Sequence, residues 1–371
     1  MKIFKKIVSA VMVGCMLLSL CACHGKDEVA LTIEGMDIAS ALYLNALVDA
    51  DADAKQTVDE QLAEKSDSEK TEEVDYYTQQ INGVNFVDYV KEKTIERCKE
   101  YVLFQKLVDE GTIKLTDEQK QEAQYSASTY WNSYGYAYLY GANGVSYETY
   151  EKAFVYSYYS NEYFEYLYGK GGEKEVPEKT LKDFFLENYT LVYALSASYE
   201  EKATDDQKAA LKTKLEGYEK RLKNGEDFEK IYMEHNGLKE EDHKHEETED
   251  GPKDQHATVL ADKNSKSSYA HTDFDELYEM KVGETIIIEN EGKTGLTLYV
   301  RLDINSDTYY FEQLKSEVLY LLKNEEYQDF VTEKTKNYAV DKNNFAINRF
   351  DVEDIDYSVL ESAYAAQQNY Q

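Results

Sequence analysis

Proline is almost missing from this chain: Pro177 and Pro252 are the only two in 371 residues. With so few breakers and so much Glu, Lys and Gln, the sequence favours long helices. Positive charge is also short, 41 Lys and Arg against 73 Asp and Glu, for a formal net charge of −32. Such a chain is a poor candidate for binding nucleic acid or anionic lipid, and its copies repel one another. Cysteine is scarce too. Cys15, Cys21 and Cys23 lie near the N-terminus, which leaves Cys98 alone in the body of the chain. No internal disulfide is therefore expected, and Cys98 reads as a small buried apolar residue. No phosphate loop, nucleophile elbow, zinc-protease helix or dinucleotide fingerprint occurs, and no cofactor is expected.

The N-terminus has the form of an export signal. Lys2, Lys5 and Lys6 precede an apolar run from Ile7 to Leu20, too short to span a bilayer comfortably. "LCAC" follows, ending at Cys23. It resembles the lipobox of bacterial lipoproteins, in which the cysteine is lipidated and becomes the new N-terminus. That resemblance implies a signal peptide over 1–22, lipid on Cys23, and a protein anchored on the outer face of the cytoplasmic membrane. Loss of the three lysines would take the formal charge to −35.

Along the remainder, "VALTIEGMDI" (29–38) reads as a strand, a turn at Gly35 and entry into a helix. Residues 49–76, acidic and poor in large apolar side chains, read as a solvated helix or mobile insertion. A strong helix follows from about Val84 to Glu110, with Val87, Val90, Thr94, Cys98 and Tyr101 on one face. Gly111 ends it, and the capping box "TDEQ" (116–119) opens the next. Residues 125–168 hold 14 tyrosines and Trp131. They point in too many directions to make one patch, so the stretch reads mainly as a helix–helix interface; an adhesive surface for extended peptides is the other reading. Residues 169–179 form a linker, and Pro177 opens a helix ending near Tyr189.

From there the pattern changes. A strand at 191–197 precedes the capping box "TDDQ" (204–207) and a helix with Leu211, Leu215, Tyr218 and Leu222 inward. Asn224-Gly225 ends that helix, and a short helix with Phe228, Ile231 and Tyr232 inward runs to Asn236-Gly237. An acidic loop (238–257), a short helix (272–280) and strands at 284–289 and 296–302 complete the segment. The last strand alternates, with Leu296, Leu298, Val300 and Leu302 on one side and Thr297, Tyr299 and Arg301 on the other. A long amphipathic helix (309–338), a candidate strand (345–350) and a frayed tail past Tyr357 close the chain.

The order strand, long helix, glycine, short helix, loop, short helix, strand, turn, strand resembles the parvulin-type peptidyl-prolyl isomerase domain. "LKNGEDFEKIYMEH" and "FDELYEMKVGETI…GKTGLTLYV" carry the likeness. With helical flanks on both sides, the chain as a whole resembles the PrsA/SurA-type foldases. The resemblance implies an α+β fold: a mostly helical chaperone domain built from 23–189 and 304–371, with a parvulin-like domain inserted over 190–303. It implies unfolded or newly secreted polypeptides as partners and leaves a homodimer open.

It also implies a site, and the chain departs from it. Alignment on Leu195 puts Tyr193 where the family carries its first histidine, and alignment on Gly295 puts Thr297 at the second. Phe274 matches the aromatic of the proline pocket. Tyr193, Leu195, Phe274 and Thr297 are therefore the expected cleft, and weak or absent isomerase activity follows. Two alternatives stand beside this: an active isomerase rebuilt on those residues, and a metal-binding lipoprotein using His243, His245 and His256 with neighbouring acids. A solvated acidic loop is the plainer reading of those histidines.

Overall fold

The computed structural model describes residues 28–63, 74–200, 202–239, 251–290 and 292–368. The fold is α+β and divides into two compact units. The first combines residues up to Leu167 with Gly171–Glu173 and the chain from Glu326 onward; the second holds Tyr168–Lys170 and Lys174–Glu325. The second is thus wider at both ends than 190–303.

The first unit opens with a hairpin, β1 (Val29–Ile33) and β2 (Met36–Ala39), turning through Glu34 and Gly35 at positive φ. A second strand therefore stands where direct entry into a helix was expected. Helix α1 (Ser40–Ala63) follows and corrects the reading of 49–76 over its described part. Ala50, Asp51, Ala54 and Val58 are buried, packing with Phe86 and Val90 or paired within the unit. Small alanines let the helix approach closely, and the buried acid has partners, so the acidic composition conceals an inward face. The minimal pair β3 (Gln80–Ile81) and β4 (Val84–Asn85) leads into α2 (Phe86–Asp109), which buries Val90, Thr94, Cys98 and Tyr101 as its spacing predicts. After Gly111 (φ +76°) the amides of Thr112 and Ile113 return to the Leu107 carbonyl. Thr116 and Gln119 form the expected capping box at the start of α3 (Asp117–Ser133). A π-helical turn (Ala137–Gly141) separates it from α4 (Tyr147–Tyr168).

In the second unit α5 (Glu178–Asn188) starts after Pro177 and runs into β5 (Tyr189–Ser198). Helix α6 (Asp205–Lys223) begins at the Thr204–Gln207 capping box. Gly225, at φ +84°, turns the chain into α7 (Phe228–Asn236), whose cap is Asp227. Two strands not expected from the pattern follow, β6 (Thr258–Asp262) and β7 (Ala270–His271). Then come α8 (Phe274–Glu279), β8 (Thr285–Glu289) and β9 (Gly295–Leu302). The five strands form one sheet in the order β7-β6-β5-β9-β8, antiparallel except for β6 with β7.

The sheet is covered on both faces. Leu195, Ala197, Leu296 and Leu298 pack against Leu215, Tyr218, Phe228 and Ile231 of α6 and α7. Val192 and Tyr299 on the other face pack with Leu260 and with Leu277 of α8.

Helix α9 (Tyr309–Thr335) gives its early turns to the second unit and its later turns to the first. In the first unit β10 (Val340–Lys342) then pairs with β1. Residues 344–347 are a helical turn, α10 (Asn344–Ile347), capped by Asn343, and not the strand expected over 345–350. The tail beyond Tyr357 is helix α11 (Ser358–Gln368), with Leu360 packed beside Tyr140 and Val145. No described helix is long and apolar enough to cross a membrane.

Candidate functional site

Strand β5 is central, and its side chains divide between two environments. Tyr193 pairs with Val300 and Leu195 with Leu298, so these face α6 and α7. Ser196 pairs with Thr297 and Ala194 with Tyr299, so these face the side of α8. Tyr193 and Leu195 are therefore separated from Thr297 by the sheet. Phe274 sits on α8, which packs on the Thr297 face through Leu277. The four expected residues do not line one cleft. The cause is the period of two along a strand: a slip of one residue moves a side chain to the opposite face. Strand β5 is buried or half-buried on both sides through Ala194, so its pattern does not reveal which residues share a face with Thr297.

Tyr193 is a packing residue. Its ring stacks on Phe228 at 4.0 Å with an 11° interplanar angle. Its hydroxyl donates to Asp254. Burial first, then that hydrogen bond, raises the Tyr193 pKa, so the phenol remains a neutral donor. The one hydroxyl proton of Tyr310 is shared between the carbonyls of Asp254 and Ala257, 3.2 and 3.3 Å away, which holds the incoming loop. His256 packs here, 4.3 Å from the Tyr232 ring, and its amide donates to Asp254 at 2.9 Å. His235 donates through Nε2 to the Ser196 carbonyl at 2.8 Å, which fixes α7 to β5.

The polar row lies on the other face. Ser196 Oγ and Thr297 Oγ1 are 3.0 Å apart, and Tyr299, two residues along from Thr297, donates to Asp273 at 3.0 Å. The Asp273 amide donates to His271 Nδ1 at 3.2 Å, which leaves the proton of a neutral His271 on Nε2. Burial, followed by the Asp273 charge, raises the Tyr299 pKa and keeps its hydroxyl protonated. Ser196 is exposed, so one end of the row is wet. Ser196, Asp273 and Tyr299 were not picked out by aligning motifs. The Thr297–Tyr299 alternation carries part of that signal, because residues two apart on one strand share a face.

The row offers hydroxyl donors and one carboxylate acceptor. The β5–β9 pair presents no imidazole there; the single described histidine beside it is His271, its ring edge-on to Tyr299 at 6.2 Å. His243, His245 and the neighbouring acids Glu246, Glu247 and Asp250 lie outside the described residues. Among the described residues no group of three or more His, Cys, Asp or Glu side chains is placed to hold a metal ion.

No family model and no curated protein matches the chain. Among solved structures it is similar to foldase protein PrsA from Streptococcus pneumoniae, at 14% identity over 70% of this chain and 92% of that one, with a TM-score of 0.37. PrsA from Bacillus subtilis is 17% identical over 71% of this chain and 92% of its own, with a TM-score of 0.31. Foldase protein PrsA from Lactococcus lactis is 14% identical over 86% of this chain and 97% of its own, with a TM-score of 0.36.

Proposed function

We propose that the protein is a foldase-type chaperone for newly secreted polypeptides, anchored outside the cytoplasmic membrane by lipid on Cys23, with a parvulin-like unit of weak or lost isomerase activity. The observation that carries this reading is the row of Ser196, Thr297 and Tyr299 on a sheet whose chain order is strand, two helices, two strands, helix, two strands. Where the family resemblance implies two imidazoles, this chain presents hydroxyls.

Rotation about a peptide bond faces a barrier of about 18–20 kcal/mol. Lowering it takes a dry apolar pocket and a fixed polar network complementary to the twisted amide. A row open to water at Ser196 meets that requirement poorly. The charge of −32 suits a holding role, because it keeps the protein soluble and opposes its co-aggregation with acidic chains.

The test is light scattering of an unfolded secreted client with and without the purified mature chain. Suppression of scattering at near-stoichiometric ratios is expected; failure with every unfolded client tried removes the reading. A working isomerase is the second reading, favoured by the hydrogen bond from Tyr299 to Asp273 on the side of Phe274. Proline-peptide turnover at the rate of an active parvulin would establish it instead.

A further inference from the structure

The core of the first unit uses only part of the tyrosine-rich segment. Tyr140 and Tyr150 are buried, and Trp131 packs on Tyr150. Tyr130 and Tyr134 remain 38% and 61% exposed. Their rings are 5.1 Å apart, Tyr130 lies 5.6 Å from Phe154 of α4, and Phe154 lies 6.1 Å from Tyr158. The result is a continuous aromatic track from the end of α3 onto α4.

Charge takes over where the rings stop. Positions 154, 158, 162 and 165 follow helical spacing, so Glu162 and Glu165 continue the same stripe. Glu162 accepts a hydrogen bond from Gln119, and Glu165 is exposed. Glu162 and Glu165 are one helical turn apart, a like-charge pair that a cation would relieve. Between residues 121 and 168 the one Lys or Arg is Lys152, against Glu122, Glu148, Glu151, Glu162 and Glu165. Lys152 stands two residues before Phe154, about 200° around the helix and off the stripe.

We propose that this track binds extended cationic polypeptide segments, rich in Arg or Lys. Tyrosine faces attract guanidinium and ammonium groups, and the two carboxylates supply the complementary charge. From Phe154 to Glu165 the helix rises about 16 Å, the length of about five extended residues. A second copy of this acidic chain, or a nucleic acid, would be repelled. The inference deepens the chaperone reading and rests on it for the source of the segment, not for the binding.

The test uses the full mature chain and a fluorescent Arg-Ser peptide of about a dozen residues, with a Glu-Ser peptide as control. Binding is read by anisotropy at low and high salt, and without a label by the fluorescence of Trp131, the single tryptophan. The Arg peptide is expected to bind, more weakly at high salt, and the Glu peptide not to bind. The surface variants Tyr130→Ala with Tyr134→Ala, and Glu162→Gln with Glu165→Gln, should each weaken binding about fivefold while circular dichroism stays unchanged. Equal binding of both peptides, no binding of the Arg peptide, or unchanged affinity in both folded variants overturns the proposal. If the Arg peptide binds but no client is kept from aggregating, the chaperone reading falls and the track stands. The reverse outcome removes the track alone.

Discussion

Tyr193 and Thr297 stand on opposite faces of one sheet: Tyr193 is paired with Val300 across β5 and β9, and Thr297 with Ser196. The two positions therefore cannot act on one substrate, and each has its own consequences.

On the α7 face, Tyr193→Phe should cost about 1–2 kcal/mol, the loss of a hydrogen bond to the Asp254 carboxylate. Tyr193→Ala should cost about 3 kcal/mol, because the ring stacked on Phe228 goes as well. Urea unfolding measures both. Neither variant should alter any residual isomerase rate beyond its loss of folded protein.

Thr297→Val and Tyr299→Phe remove hydroxyls from the other face and keep the side-chain volumes. If that row holds peptide, both should lower any isomerase rate while unfolding midpoints move little for Thr297 and by about 1 kcal/mol for Tyr299. A rate untouched by both variants would leave the row with a packing role.

The junction at Gly225 is a backbone requirement and not a packing one. Nothing lies within 4 Å of a Cβ added there, but φ is +84°. Gly225→Ala should cost about 1 kcal/mol from the left-handed conformation alone. Gly295 is the converse. A Cβ there would stand 2.6 Å from the Ala197 carbonyl oxygen, so Gly295→Ala should cost more, about 2–3 kcal/mol. Thermal melts of the two variants should rank in that order.

Helix order was legible where local chemistry is self-sufficient. The Thr116–Gln119 and Thr204–Gln207 capping boxes stand in both the sequence and the structure. Strand face was not legible for β5, because burial on both sides removes the alternation that would reveal it. Strand β6 was missed because Thr258–Asp262 follows a long polar loop and its pairing with β5 comes from distant chain. Acidic α1 misled for another reason. Asp51 is buried because Tyr357, more than 300 residues on, donates to it at 2.7 Å and Lys55 lies 3.2 Å away. No local window contains the first of those partners.

That pairing gives a pH dependence. Burial raises the carboxyl of Asp51 against the opposing effects of Tyr357 and Lys55, and raises Asp49 against Arg97. A raised acid binds its proton more tightly in the folded state, so stability should increase as the pH falls through the raised folded pKa values toward the ordinary carboxylate range. At lower pH, carboxyls held down by partners, such as Glu34 on the Ala339 amide, reverse the trend. Melting temperature against pH should therefore peak on the acid side of neutral, and Asp51→Asn should flatten the rise. Tyr357→Phe should cost about 2 kcal/mol at neutral pH by leaving a buried carboxylate short of a donor.

The proposed function requires that the protein hold unfolded chains without rotating their prolyl bonds. Refolding of a secreted client that is limited by proline isomerisation and prone to aggregate tests both halves in one trace. The predicted result is a higher yield of native client with the slow rate constant unchanged. An accelerated slow phase, or a yield that does not rise, would contradict it.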